Sequence, residues 1–281
     1  MILCFKRNIF ISFFVMLKIL LLSTTLSAQA IDTIHVSAQD FNLPDSVITN
    51  NYSGGYNPLS DSLFPIAAEL TADSILTLHI EALGGIKALE DIKSLHIKMK
   101  AEVENLNIEV DIYREPKNKF ALIMREGTFV VQKEICDGKH AFRKTMNGLE
   151  TLEAEELEDY RLINTFNFVL KIKELGYAFT PLYIADINGN NAYKIELQSP
   201  NGKIEYWYLS TITNLLIKTE EETETTTGFR KITTLLSDYQ PVNGVQYAHF
   251  VTQSVGDQTL EFHVIEIDNQ SRGFRGVFTM E

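Results

Sequence analysis

Residues 95–104 have the sequence LHIKMKAEVE, in which apolar and polar side chains alternate. Ile97, Met99 and Ala101 fall on one side of this alternation, and the lysines between them fall on the other. Successive side chains of a β-strand point to opposite faces of the sheet, so a period of two indicates one buried and one solvated face. The stretch therefore predicts a half-buried strand that begins at Leu95.

Turn-forming residues separate further runs of this kind along the chain. Such residues readily adopt the positive φ angles that tight hairpins need. Strands joined by hairpins are antiparallel, so the pattern predicts one large antiparallel sheet with sequential strands as neighbours. The turn signals are Pro116-Lys117-Asn118, Asp137-Gly138, Asn147-Gly148, Asn188-Gly189, Asn201-Gly202, Asn243-Gly244 and Gly256-Asp257.

A helix is expected just before the first strand, and Gly84-Gly85 is expected to end it where a left-handed residue is needed. A short second helix, Ile86–Ile92, should follow. The candidate N-terminal caps are Thr71, Asp73 and Ser74. The apolar positions that recur on one face of the first helix are Ile75, Leu78 and Ala82.

Another helical segment interrupts the strand pattern between Glu153 and Leu175. Acidic residues at its start suit the positive end of a helix dipole, and apolar residues recur behind them at helical spacing. Its apolar face comprises Leu157, Tyr160, Ile163 and Phe166. Helical elements set against one large curved sheet define an α+β fold.

Residues 1–30 have the layout of a secretory signal peptide. They carry Lys6, Arg7 and Lys18, no acidic residue, and apolar runs that end in Ala28-Gln29-Ala30. The alternative is a transmembrane anchor, but Lys18 splits the apolar run and leaves each half below the roughly 18–20 residues that a spanning helix needs. We therefore expect cleavage after Ala30, export to the periplasm and no transmembrane anchor after signal removal.

Residues 31–70 are polar and broken by prolines and by Gly54-Gly55, without a sustained period. The segment is typical of a disordered lead-in or tether. The remaining residues, 71–281, are expected to form a single β-rich domain.

Charge and cysteine content narrow the class of protein further. Residues 1–30 hold three of the 25 basic residues and none of the 37 acidic ones, so the mature chain carries a formal charge of −15. Nucleic acid is excluded as a partner, because contact with phosphates requires clustered Lys and Arg. Signal removal leaves Cys136 alone, so stability must come from an apolar core and not from an internal disulfide.

Three stretches resemble the LolA/LolB-like superfamily of outer-membrane lipoprotein-sorting proteins. Residues 82–89, ALGGIKAL, resemble the double-glycine helix break that precedes the first strand of the family. Residues 191–197 and 201–209, with Tyr206-Trp207-Tyr208, are similar to its paired central strands. Residues 237–262, with Asn243-Gly244, resemble its closing hairpins. The resemblance covers about Asp73 to Asp268.

The resemblance implies an unclosed antiparallel barrel, concave and apolar inside, with helices on the concave side as a lid. It also implies that the chain binds a lipid or a lipoprotein acyl chain and is not an enzyme. An envelope protein is a further candidate partner, and transfer of the ligand to it is left open. Ala248 stands where the family pattern has proline, and no acylated cysteine follows the signal. The latter difference favours a soluble carrier over an anchored receptor.

The alternation and the resemblance together predict an apolar ligand cavity. The candidate lining residues are Ile97, Met99, Val110, Ile112, Leu122, Met124, Phe129 and Val131, and the candidate lid residues are Leu157, Tyr160, Ile163 and Phe166. Flexible methionine and broad phenylalanine side chains adapt to variable apolar ligands. The alternative is that all of these are ordinary core residues of an exported protein-interaction module with a fully packed interior.

Other chemistry has little support in the sequence. No metal-ligand spacing, nucleophile elbow or phosphate-binding glycine loop occurs, so no metal, cofactor or catalytic residue is predicted. Folding could still join His249 to His263, or pair Asp238 or Glu261 with a histidine in a hydrolase.

The acidic group Glu220, Glu221, Glu222 and Glu224 is expected to be a solvated strand end or loop. In Tyr206-Trp207-Tyr208, at least one ring must face outward, either as a docking point or packed on the outer face.

Overall fold

The computed structural model describes Ile66 and residues 70–103, 106–145, 148–152, 154–225, 228–256 and 258–279. The predicted signal peptide, its cleavage after Ala30 and the lead-in up to residue 65 lie outside the described residues. Ile66 and Leu70, at the end of the lead-in, are half-buried and pack against the domain. None of the helices in these ranges is long and apolar enough to cross a membrane.

The strands form one antiparallel sheet that stays open, as the turn signals predict. Its spatial order is β6-β5-β4-β3-β2-β1-β13-β12-β11-β10-β9-β8-β7. The strands are β1 (Leu95–Val103), β2 (Leu106–Glu115), β3 (Lys119–Glu126), β4 (Phe129–Asp137), β5 (Ala141–Thr145), β6 (Gly148–Leu152), β7 (Ala178–Ile187), β8 (Asn190–Gln198), β9 (Ile204–Ser210), β10 (Leu216–Thr225), β11 (Gly228–Val242), β12 (Val245–Val255) and β13 (Gln258–Asp268). Two meanders are joined where β1 pairs with β13, and β6 and β7 form the two edges. The predicted unclosed half-barrel is confirmed.

The hairpin signals act through backbone conformation. Asn188 and Gly189 have φ values of 54° and 83°, and Asn243 and Gly244 have 50° and 84°. Positive φ at both central residues defines the type I′ turn, whose twist matches that of the flanking strands. These two pairs therefore fix the β7–β8 and β11–β12 hairpins.

Four helices accompany the sheet in the described ranges: α1 (Ala72–Ala82), α2 (Gly85–Asp91), α3 (Ala154–Ile163) and α4 (Phe168–Lys171). Thr71 caps α1, because its hydroxyl accepts a hydrogen bond from the backbone N–H of Ser74 at 3.2 Å. The predicted apolar face of α1 is only partly right. Ile75, Leu76 and His79 are buried, whereas Leu78 is 38% exposed.

The glycine pair between α1 and α2 lies against the β11–β12 hairpin. Gly84 has φ 125°, and a Cβ atom there would lie 2.1 Å from the carbonyl oxygen of Gly244. The backbone N–H of Gln246 donates to the carbonyl of Leu83 at 2.9 Å. Glycine at this position is therefore required by close approach of two backbones as well as by its left-handed conformation.

The segment that joins the two edge strands contains α3 and α4 and is not one continuous helix. Asn167 adopts a left-handed conformation with φ 55°, and α4 begins after it. Leu157 and Tyr160 of α3 pack against side chains of β1–β6, whereas Phe166 and Phe168 pack against side chains of β7–β10. The segment thus spans the open side of the half-barrel.

Two apolar clusters lie on the helix-covered face of the sheet. The first apolar cluster is contributed by β1–β6 and β11–β13; its fully buried members include Met99, Val110, Ile112, Phe120 and Phe262. The second apolar cluster is contributed by the helices and by β8–β10; its members include Ile75, Phe168, Ile195, Trp207 and Leu209. On the opposite face, Phe274, Val277 and Phe278 cover Ala121 and Ile135.

Candidate ligand-binding face

Six of the eight predicted lining residues are buried together in the first apolar cluster. They are Met99, Val110, Ile112, Leu122, Met124 and Val131. A seventh, Ile97, is half-buried and packs against the same cluster. The alternation of single strands therefore brings seven side chains from β1–β4 to one face.

Strand register arranges six of these residues in two rows. Met99 pairs with Val110, which pairs with Met124. Ile97 pairs with Ile112, which pairs with Leu122. Paired residues on one face of a sheet lie side by side, so the two rows form a continuous apolar patch across β1, β2 and β3.

Phe129 does not belong to this patch, and its assignment as a lining residue is wrong. Its side chain is 76% exposed. It pairs with Glu126 at the tip of the β3–β4 hairpin, immediately after the turn. A bulge between Met124 and Arg125 also interrupts the alternation from which the assignment was made.

The predicted lid residues divide between the two apolar clusters. Leu157 and Tyr160 pack against the first, and the rings of Tyr160 and Phe120 meet edge to face with centroids 5.6 Å apart. Phe166 is buried in the second. The side chain of Ile163 lies outside the described part of the chain. The chain segment expected as a lid thus covers both clusters, and α3 alone covers the first.

Polar groups lie beneath α3 at the edge of the first apolar cluster. Glu134 accepts hydrogen bonds from Tyr160 Oη at 3.2 Å and from Arg143 Nε at 3.1 Å. Arg114 is buried 5.8 Å from the centroid of the Phe120 ring, and burial lowers its pKa to about 10. The covered face therefore combines an apolar floor with charged groups at one margin.

A second set of buried polar side chains was missed by sequence reasoning. Glu205, Thr219, Glu221, Thr234 and Gln253 are buried on β9–β12. Register places them on the helix-covered face, because Thr219 pairs with the cluster residue Trp207 and Glu221 pairs with the cluster residue Ile232. The expectation of a solvated acidic loop is wrong for Glu220 and Glu221, which are each 7% exposed within β10. A charged run contains no signal for burial, since its threonines and glutamates also suit an exposed strand.

His79 is a further buried polar residue on this side. Its Nδ1 lies 2.8 Å from the carbonyl oxygen of Asn214, and its ring meets Trp207 with centroids 6.2 Å apart. Burial lowers the pKa of His79 to about 4, although the carbonyl contact opposes this shift. His79 is therefore neutral at pH 7, with Nδ1 as the donor to the carbonyl.

The aromatic triplet 206–208 divides between the two faces of β9. Trp207 is fully buried, whereas Tyr206 and Tyr208 lie on the outer face, where Lys194 Nζ sits 4.4 Å and 5.5 Å from their ring centroids. Tyr208 Oη donates to Glu220 Oε2 at 2.7 Å. Tyr208 is therefore packed on the outer face and does not form an exposed docking point.

The alternatives based on metal binding or hydrolysis gain no support from the described residues. Phe250, and not His249, pairs with His263 across the β12–β13 hairpin. No group of three or more His, Cys, Asp or Glu side chains in the described ranges could hold a metal ion. Asp238 and Glu261 are both exposed on the sheet.

Two solved structures are similar to this chain over most of their length. A LolA superfamily protein from Nitrosomonas europaea is 10% identical, with a TM-score of 0.48, over 75% of this chain and 98% of that one. A DUF1329 family protein from Desulfovibrio piger is 9% identical, with a TM-score of 0.51, over 74% of this chain and 97% of that one. No protein-family model and no curated protein sequence matches the chain. Identities this low show likeness of fold alone, and they assign no family or function to this chain.

Proposed function

We propose that the chain is a periplasmic carrier that holds an apolar ligand, a lipid or a lipoprotein acyl chain, between the helix-covered face of its sheet and the segment 154–177. The observation that carries the proposal is the pair of apolar rows across β1–β3, headed by Met99 and Ile97, beneath a short helix. A continuous apolar floor suits an extended acyl chain, and a cover of one helix is small enough to move aside.

The free energy of burying apolar surface allows a ligand to replace the covering helix α3. Leu157 and Tyr160 bury the same surface that an acyl chain would bury, at about 25 cal/mol per Å² of apolar area in either case. The floor therefore stays out of water in both states. The ligand has to supply only the difference in free energy between its own contact with the floor and the contact made by α3.

The second candidate is an exported interaction module, and one observation favours it. Met99, Val110 and Ile112 are fully buried beneath the covering helix, as they would be in a permanently packed core. In that case the same sheet would serve as a scaffold for a protein partner and no ligand would enter. Catalysis is not part of either proposal.

Native mass spectrometry of the chain purified from its own cell envelope distinguishes the two candidates. The carrier should retain a bound lipid or acylated peptide, visible as a discrete mass increment that is lost on denaturation. A chain that consistently appears at its unliganded mass from gentle, detergent-free preparations would favour the interaction module.

A further inference from the structure

A row of buried polar side chains lies beside residues of both apolar clusters. We call Glu205, Thr219, Glu221, Thr234 and Gln253 the polar row. Thr219 pairs with Trp207 on one side and with Thr234 on the other, and Thr234 pairs with Gln253. Glu205 pairs with Glu221 two residues further along the same strands. The row therefore crosses β9–β12 on the helix-covered face, next to Trp207 of the second cluster and Ile232 of the first.

Several polar atoms in and beside this row are buried without a partner. No hydrogen bond within the described ranges reaches Glu205 Oε1, Thr219 Oγ1, Gln253 Oε1 or the indole Nε1 of Trp207. Thr219 is 2% exposed, and Gln253 and Trp207 are fully buried. Burial of unpaired polar atoms is costly and rare in native proteins, so a concentration of them in one place points to a partner that arrives with a ligand.

The acidic residues of the polar row determine which charge a bound head group can carry. Burial, and then the charge of Glu221, raise the pKa of Glu205 well above its ordinary value. The indole of Trp207 opposes this shift, but its N–H and Glu205 Oε1 do not meet hydrogen-bond geometry. No salt bridge within the described ranges involves Glu205. A raised pKa disfavours the charged carboxylate, and a cation bound beside Glu205 would stabilise that charged form, whereas a phosphate or carboxylate would not.

The unpartnered atoms are mainly acceptors. Gln253 Nε2 donates to Thr234 Oγ1 at 3.2 Å, which leaves Gln253 Oε1 as a free acceptor beside the row. Glu205 Oε1 is a second acceptor, and the hydroxyl of Thr219 can act as a third. A primary ammonium group has three donors and one positive charge, and it suits the acceptors Glu205 Oε1 and Thr219 Oγ1, which lie on the adjacent strands β9 and β10. Trp207 Nε1 remains to donate to an oxygen next to the amine.

We propose that the polar row binds the primary amine of an amphiphile whose chain lies on the first apolar cluster. The inference rests on the proposed function, because it requires an apolar chain on the same face. Ile232 and Val255 belong to the first apolar cluster and pair with each other beside Glu221, so chain and head group would occupy one continuous surface.

Three amphiphiles with the same chain test the proposal: dodecylamine, dodecanol and dodecanoate. Each is titrated by calorimetry into the delipidated chain. The amine should bind about tenfold more tightly than the alcohol, as expected for one charge-assisted hydrogen-bonded contact, and the carboxylate should bind most weakly.

Glu205→Gln should reduce amine affinity to that of the alcohol and leave alcohol affinity unchanged. The matched control is Glu222→Gln, which makes the same substitution on the exposed, opposite face of β10 and should keep the preference. Glu205→Gln should also raise the melting temperature, since it removes an acid that burial disfavours, so the loss of binding will not reflect unfolding.

Equal affinity for amine and alcohol, or a preference that survives Glu205→Gln, would overturn the head-group site while leaving chain binding intact. Binding of none of the three amphiphiles by the folded chain would overturn both this inference and the proposed function. The two failures are therefore distinguishable in one set of titrations.

Discussion

The hydroxyl of Tyr160 on α3 donates a hydrogen bond to Glu134 Oε2 on β4 at 3.2 Å. Burial and the charge of Glu134 raise the pKa of Tyr160 well above its ordinary value, so the hydroxyl keeps its proton at neutral pH. Arg143 Nε holds the other oxygen of Glu134 at 3.1 Å. The contact joins the cover to the sheet next to the apolar floor.

Tyr160→Phe should therefore loosen the cover without removing its apolar contact. We expect faster dissociation of a bound fluorescent fatty acid, measured by stopped flow, and a loss of stability of about 1–3 kcal/mol for a buried hydrogen bond to a charged group. Tyr183→Phe is the control, because Tyr183 Oη accepts from Lys194 on the outer face at 3.1 Å. Equal dissociation rates in the two variants would show that the Tyr160 hydroxyl does not hold the cover.

Gly84→Ala should destabilise the fold more than a glycine substitution in a turn. Alanine at positive φ costs about 1–2 kcal/mol, and at Gly84 its Cβ would also clash with the Gly244 carbonyl. Gly189→Ala also places alanine at a positive φ, 83°, but no atom lies within 4 Å of the added Cβ. Chemical denaturation should give a clearly lower midpoint for Gly84→Ala, and similar midpoints would contradict the close approach.

The buried His79 predicts a loss of stability in acid. Its pKa falls from 6.5 to about 4 on folding, so the folded state binds fewer protons. The stabilisation is complete above pH 6.5 and is lost as the pH falls towards 4, by about 3 kcal/mol in total. Free energies of unfolding at pH 7 and pH 4 should differ less in His79→Gln than in wild type. His263→Gln, at an exposed position, should behave like wild type.

Two truncations locate the start of the folded domain. A chain that begins at residue 61 should keep the melting temperature of a chain that begins at residue 31, because residues 31–60 offer little apolar surface. A chain that begins at residue 71 lacks Ile66 and Leu70, which are half-buried against the second apolar cluster. It should lose about 1–2 kcal/mol. A large loss of stability in the chain that begins at residue 61 would show that residues 31–60 also pack on the domain.

The sequence predicts local structure well because local structure has local causes. Alternation in 95–104 identifies β1, and Asn188-Gly189 and Asn243-Gly244 identify hairpins through their φ angles. The pairing of β1 with β13 has no local signal, and the sequence did not predict it. The break at Asn167 was also missed, since a single left-handed residue hardly changes an apolar pattern.

The sequence predicted only the apolar residues of the candidate ligand-binding face. Strand periodicity finds Met99 and Val110, because burial of apolar residues follows from solvation alone. It does not find Glu205 and Gln253, because burial of a polar side chain depends on which strands become neighbours. It misplaces Phe129 because a bulge shifts the strand register by one residue, and the pattern of apolar and polar residues gives no sign of this shift.

The most direct test of the proposed function uses a fluorescent fatty-acid probe with the folded, delipidated wild-type chain. We expect saturable binding at micromolar concentration and competition by unlabelled lipid. Met99→Glu should abolish that binding by placing an unpaired charge in the floor, whereas Ile265→Glu, at a position 49% exposed, should not. A folded wild-type chain that binds no such probe at micromolar concentration would contradict the carrier proposal and favour the interaction module.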